Sequence, residues 1–189
     1  EGLAFGVKIP LVYTKVLVPN WKAFDDLKTS FFYYTGGFYK QVELAYPVSL
    51  GDYKRSQTPD EPMVLHMCHV PLFPDVKGPD QWRQGRMKIL TTAFEEFEQH
   101  AKDQLNQALS CVGFDADRDI SAITVNRWPH GYATSNGLLW GKDYPDEDKP
   151  WVIGRQPFGN IYTANSDAGA KADTQTAIKE AYRAIKEIG

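Results

Sequence analysis

The chain has 189 residues and a formal charge of −3, from 21 basic and 24 acidic side chains, which is enough for one domain or a domain and part of another. Hydrophobic residues at 42% and charged residues at 24% exclude a disordered tail and a collagen-like repeat, and two cysteines exclude a disulfide framework. The charge balance leaves no basic footprint for nucleic acid, and no apolar run reaches the ~18 residues of a membrane span.

Residues 7–18, VKIPLVYTKVLV, are rich in β-branched side chains and read as a strand, with Pro10 near its start. Pro19 and Asn20 break it, and Trp21 to Leu27 read as one or two helical turns. Residues 38–48 alternate, with Val42, Leu44 and Tyr46 on one face and Gln41, Glu43 and Ala45 on the other, as in a half-buried strand. A Pro-, Gly- and Asp-rich loop follows. Residues 63–70, MVLHMCHV, form another strand between Pro62 and Pro71.

The longest helix is expected between Asp80 and Gly113, about residues 81–111, lying across one face of the sheet. Met87, Leu90, Phe94, Phe97, Ala101, Leu105, Ala108 and Leu109 recur at steps of three and four, so Phe94, Phe97 and Leu105 are expected to be buried. Glu95, Glu96, Glu98, Lys102 and Asp103 form the solvated face, and Thr91-Thr92 marks a point where the helix could break. Residues 120–128, ISAITVNRW, read as a strand and residues 129–150 as a long loop. Residues 151–164 hold two short apolar runs, WVIG and NIYTA, the second read as a strand ending near an acid. A last helix opens at Asp173 or Thr174, with Thr176, Ile178, Ala181, Tyr182, Ile185 and Ile188 giving its period. The fold class is therefore α+β: a mixed or antiparallel sheet, one long helix across it, and a C-terminal strand, turn and helix.

His66 and Cys68 stand two apart on a strand and so share a face. Both are zinc-ligand types, but no CxxC, HxxxH or HExxH accompanies them, and a packed, hydrogen-bonded pair is the plainer reading. A metal-dependent hydrolase would draw on His66, Cys68 and His69. GxSxG, Walker and GxGxxG patterns are absent from the sequence. Asn126 to Tyr132, NRWPHGY, crowds Trp128, His130 and Tyr132 around two chain-bending residues at a strand end. Rings there can stack on a planar ligand and a histidine can move protons, while a core Trp and a corner Tyr are the structural alternative. Gly159 to Gly169 ends in an acid and small residues shortly before a helix N-terminus, a layout suited to polyol or phosphate oxygens or to an ordinary turn.

Three blocks carry a resemblance: IPLVYTKVLVPNWKAF, PDEPMVLHMCHVP, and DRDISAITVNRWPHGYA with GRQPFGNIYTANSDAGA. The chain resembles the C-terminal part of the flavin-containing amine oxidoreductases, most closely the spermidine dehydrogenase-like branch. The resemblance implies FAD as cofactor and a small amine, such as a polyamine, as substrate. It divides the chain into a substrate-side α+β domain, residues 1–150, and an FAD-contacting strand, loop and helix, residues 151–189. It places Asn165, Ser166 and Asp167 beside the FAD ribityl or pyrophosphate region and gives the Thr174 N–H to the flavin pyrimidine carbonyl. Trp128, His130 and Tyr132 would lie by the flavin ring and the amine path. Such enzymes cradle the FAD pyrophosphate with an upstream GxGxxG unit, so this chain alone is expected to be inactive and to retain no FAD. Members of the branch often carry a twin-arginine export signal, which implies a periplasmic or exported parent; this chain itself shows no signal pattern. The alternative from another class is a stand-alone, non-catalytic binding module that kept the fold.

Overall fold

A computed structural model describes residues 6–77, 79–136 and 143–189. Residues 137–142 of the expected loop 129–150 lie outside the described residues. The chain divides into two compact units: residues 10–72 with 85–129, and residues 1–9 with 73–84 and 130–189.

The first unit is built on a five-stranded sheet, β1 (Leu11–Val18), β2 (Phe31–Tyr33), β3 (Gln41–Leu44), β4 (Met63–His69) and β5 (Ala122–Trp128), in the order β2-β3-β4-β1-β5. Every pairing is antiparallel. The short helix α1 (Lys22–Asp26) follows β1, as the turn signal at Pro19-Asn20 predicts. The strand read over residues 38–48 pairs only from Gln41 to Leu44, and Tyr46 is exposed rather than on a buried face. Strand β2 was not foreseen, because three residues give no alternation to read.

The single long helix of the sequence reading is two helices, α2 (Pro79–Thr91) and α3 (Phe94–Leu109). The break falls at the two threonines. The Thr91 hydroxyl donates to the Met87 carbonyl and the Thr92 hydroxyl to the Lys88 carbonyl, and Ala93 is extended. The break also resets the phase of the apolar stripe. Phe97, Ala101, Leu105 and Leu109 are buried as expected, but Phe94 is 38% exposed, Met87 and Leu90 are exposed, and Ile89 takes the buried place in α2. Gly113, with φ of 84°, closes the short 3-10 turn that follows α3.

The core of this unit is Val12, Val16 and Val18 of β1, Val42 of β3, Leu65 and Met67 of β4, packed with Phe24, Ile89 and the buried side of α3. Two polar groups inside it are fully bonded. The Tyr39 hydroxyl lies 2.8 Å from Thr14 Oγ1 and donates to the Phe97 carbonyl at 3.1 Å, and burial pushes its pKa up to about 12. The Gln104 amide accepts from Tyr39 N at 2.7 Å and donates to Tyr39 O at 3.0 Å, standing in for a strand partner. Helix α4 (Ala116–Asp119) is capped by Asp115 and leads into β5.

The second unit holds α5 (Pro150–Gly154) and α6 (Thr174–Ile188). The WVIG run is helical, with Pro150 at its first position. The strand expected before Asp167 is absent: residues 158–161 make only an isolated bridge between Phe158 and Ile161. Asp173 caps α6, accepting from the Thr176 N–H at 2.7 Å. Among the described residues no helix is long and apolar enough to cross a membrane.

Candidate functional site

Two places concentrate chemistry. In the second unit, Asn165 opens a 3-10 turn, Ser166–Gly169, with its side chain accepting from the Ala168 N–H at 3.0 Å. Ala170 follows in the left-handed region at φ of 50°. A Cβ on Gly169 would lie 2.3 Å from the Thr176 methyl, so only glycine lets this turn approach α6. The Asp167 carboxylate is bonded to Lys8 Nζ at 2.6 Å, with both side chains partly open to solvent. Behind the turn, the Ala168 carbonyl and Glu180 Oε1 both accept from Arg155 Nη1 at 3.0 Å, and Glu180 Oε2 accepts from Arg183 Nε at 2.6 Å. Arg155 thus ties the turn to Glu180 of α6, whose carboxylate is also held by Arg183 of the same helix. The Thr174 N–H lies in the first turn of α6, and among the described residues nothing accepts from it.

Asp173, beside it, is held down to about 2, first by the Lys171 ammonium at 2.9 Å and then by the Thr176 backbone N–H. His130 and Tyr132 belong to this unit and are exposed, with the Gly131 N–H between them donating to the Ile9 carbonyl at 2.8 Å. Trp128 ends β5 in the other unit, opposite Leu11 in register and 52% exposed.

The second place is the face of the sheet turned away from the helices. Strand alternation puts Tyr13, Lys15 and Leu17 of β1 there, with Val64, His66 and Cys68 of β4 and Gln41 and Glu43 of β3. Register makes rows of them: Lys15 pairs with His66, which pairs with Glu43, and Tyr13 pairs with Cys68, which pairs with Gln41. Lys15 Nζ lies 2.6 Å from His66 Nδ1, and the Tyr13 and His66 rings are 4.7 Å apart. Burial lowers the Lys15 pKa, with Glu43 opposing it. Burial and the Lys15 charge lower that of His66, and burial, then the Glu43 charge, raises the Cys68 thiol.

His66 is hydrogen-bonded, as the plainer sequence reading has it. His69 points to the other face, where its Nδ1 is 2.7 Å from the Phe38 carbonyl and its ring stacks on Phe38 at 3.8 Å. The three residues of the hydrolase reading are therefore divided between two faces, and among the described residues no cluster of three or more metal-binding side chains forms. Tyr13, Lys15 and Glu43 were not singled out together by sequence reasoning, although charged and polar residues alternating with Val, Thr and Leu were the available signal.

A cavity of about 360 Å³ lies between α1 and the C-terminal end of α3, lined by Trp21, Phe24, Leu65, Leu109 and Phe114. Asn20, Lys22, Asp26, Arg118 and Asp119 also line it, and Arg118 is already bonded to the Gly113 carbonyl and the Asp119 carboxylate.

No protein-family model matches the chain, and no curated protein matches it by sequence. A solved structure of a redesigned double mutant of putrescine oxidase does match, with a TM-score of 0.54 and 11% identity, over 95% of this chain and 36% of that one. The fold resembles part of a flavin amine oxidase. This chain thus spans about a third of the length of the solved protein it resembles. At this level of identity the likeness concerns the fold, and it agrees with the α+β architecture expected from the sequence.

Proposed function

We propose that this chain is the substrate-side and C-terminal part of an FAD-dependent amine oxidoreductase, with a small amine or polyamine as substrate. The observation that carries the reading is the likeness to putrescine oxidase over nearly all of this chain and only 36% of that one. The exported, spermidine dehydrogenase-like branch is the part of the family we favour, on the three sequence blocks.

The residues of the 165–174 segment fit the ribityl and pyrimidine end of such a cofactor. Ala168, Gly169 and Ala170 allow close approach, Thr174 has an N–H to give, and one oxygen of Asp167 remains beyond the oxygen bonded to Lys8. Asn165 and Ser166 shape the turn that presents Asp167. Nothing among the described residues fits the pyrophosphate end. The flavin, when bound, supplies the electron sink for amine oxidation, and the chain's own task is to position and desolvate. Trp128, His130 and Tyr132 would serve the ring and amine side.

The test is the absorbance spectrum of the full-length protein before and after anaerobic addition of an amine. A flavin spectrum bleached by the amine is expected, while the 189-residue chain alone stays colourless. A full-length protein without flavin or amine-dependent bleaching overturns the reading in favour of a stand-alone binding module. Within the parent, Asp167→Ala removes a charge-assisted contact of about 1.5–3 kcal/mol, so FAD retention should fall about tenfold or more while turnover at saturating FAD falls much less. Tyr132→Phe or Trp128→Phe should alter amine turnover and leave FAD bound.

A further inference from the structure

The lysines of this protein have partners of different kinds. Lys8, Lys28, Lys88, Lys102 and Lys171 each sit against a carboxylate. Lys15 lies instead against an uncharged base, the His66 imidazole, at 2.6 Å across the paired strands β1 and β4. The ammonium donates to Nδ1, so the second imidazole nitrogen carries the ring proton. On the same row Glu43 stands opposite His66, and among the described residues its carboxylate has no hydrogen bond or ion pair. Leu17 and Val64, paired with each other one row further along, give this face an apolar patch beside the amine.

We infer that Lys15 is a reactive amine that forms a Schiff base with alkyl aldehydes reaching this face of the sheet. Three features of the site combine. Partial burial disfavours the charged ammonium, as the lowered pKa of Lys15 indicates. His66 Nδ1 is within hydrogen-bonding reach to take the proton the amine gives up. Glu43, in register beyond the ring, stabilises the imidazolium that results.

In the reaction the Lys15 nitrogen lone pair attacks the aldehyde carbon. A C–N bond forms as the C=O π pair moves to oxygen, and one nitrogen proton passes by way of His66 to that oxygen, giving the neutral carbinolamine. The second nitrogen proton then passes to His66, the imidazolium protonates the hydroxyl, and the C–O bond breaks to release water as the nitrogen electron pair forms the C=N bond of the imine. Nothing is oxidised or reduced. The titratable groups facing Lys15 on this side are Tyr13 of its own strand, His66 and Cys68 of β4, and Glu43 of β3. The inference rests on this unit's geometry and does not depend on flavin binding.

The 189-residue chain can be tested directly, by incubation with butanal and cyanoborohydride at pH 7.5 and peptide mapping of the alkylated lysines over time. Lys15 should be modified about tenfold faster than the exposed Lys28 and Lys171. A Lys15 rate at or below theirs overturns the inference on the wild-type protein, with no variant required. In His66→Gln, with folding checked by circular dichroism, the Lys15 rate should drop to that of Lys28 while Lys28 itself is unchanged. An unchanged Lys15 rate in that variant overturns the proton-accepting role of His66.

Discussion

Helices α3 and α6 are both amphipathic, with nearly equal lengths of 16 and 15 residues, but only one of them buries its apolar stripe. In α3 the apolar stripe faces inward and Phe97, Ala101, Leu105 and Leu109 are buried. In α6 the apolar residues Ile178, Tyr182, Ile185 and Ile188 are exposed, Tyr182 at 69%, while Glu180 is buried between Arg155 and Arg183. Hydrophobic periodicity therefore identified a face in both helices but a burial partner in only one. A helix that turns its acid inward and its isoleucines outward is held to its own unit by ion pairs. Its apolar side is exposed among the described residues.

The sharpest way to break that contrast is truncation on each stripe. Phe97→Ala should cost about 3–5 kcal/mol, the loss for a buried ring, and Tyr182→Ala should stay within about 0.5 kcal/mol in the same chain. Chemical denaturation of the two variants measures both, and similar losses would erase the distinction. Next in size is Glu180→Gln, which leaves two guanidinium groups short of their carboxylate. Its partners are partly open to solvent, so the cost should be about 1–3 kcal/mol, less than for a fully buried pair. Hydrogen exchange should place that loss in α6 and the 166–169 turn while α3 keeps its protection.

A smaller, pH-dependent effect belongs to the Asp173 cap. Its carboxylate is held at about 2, below the ordinary 3.8. A depressed folded-state pKa contributes stability above the unfolded value and loses it as pH falls through the folded one. Amide protection at the start of α6 should therefore weaken between about pH 4 and pH 2, and Asp173→Asn should remove that dependence. The smallest effect is expected for Ile185→Ser: no measurable change in unfolding midpoint and less self-association of the isolated chain, read by light scattering.

Much of the sheet was legible because β1, β4 and β5 are bounded by Pro or polar turns and carry β-branched residues over whole strand lengths. The split between α2 and α3 was visible only as a pair of threonines. Deciding that they break the helix required knowing that Ile89, rather than Leu90, finds the core. NIYTA looks like a strand locally, but no neighbouring strand pairs with it. At the candidate sites, single residues were readable and partnerships were not. Asp167 was singled out from its turn, yet Lys8, its partner, lies 159 residues away. His66 and Cys68 follow from alternation, while the Lys15 and Glu43 neighbours of His66 are set by register, which turns and distant pairings decide.

The two ends of the strand order carry unequal risks. Among the described residues β2 and β5 each pair on one side only, and β2 is three residues long while β5 is seven. An unpaired strand margin is a template for another chain, and brevity is one of the ways natural sheets blunt it. Strand β5 lacks that protection and carries Thr124, Asn126 and Trp128 on one face with Ile123 and Val125 on the other. When copies of this protein are concentrated or partly denatured, intermolecular strand addition should therefore begin at β5, and a lysine or proline introduced on its outer margin is the substitution that would suppress it.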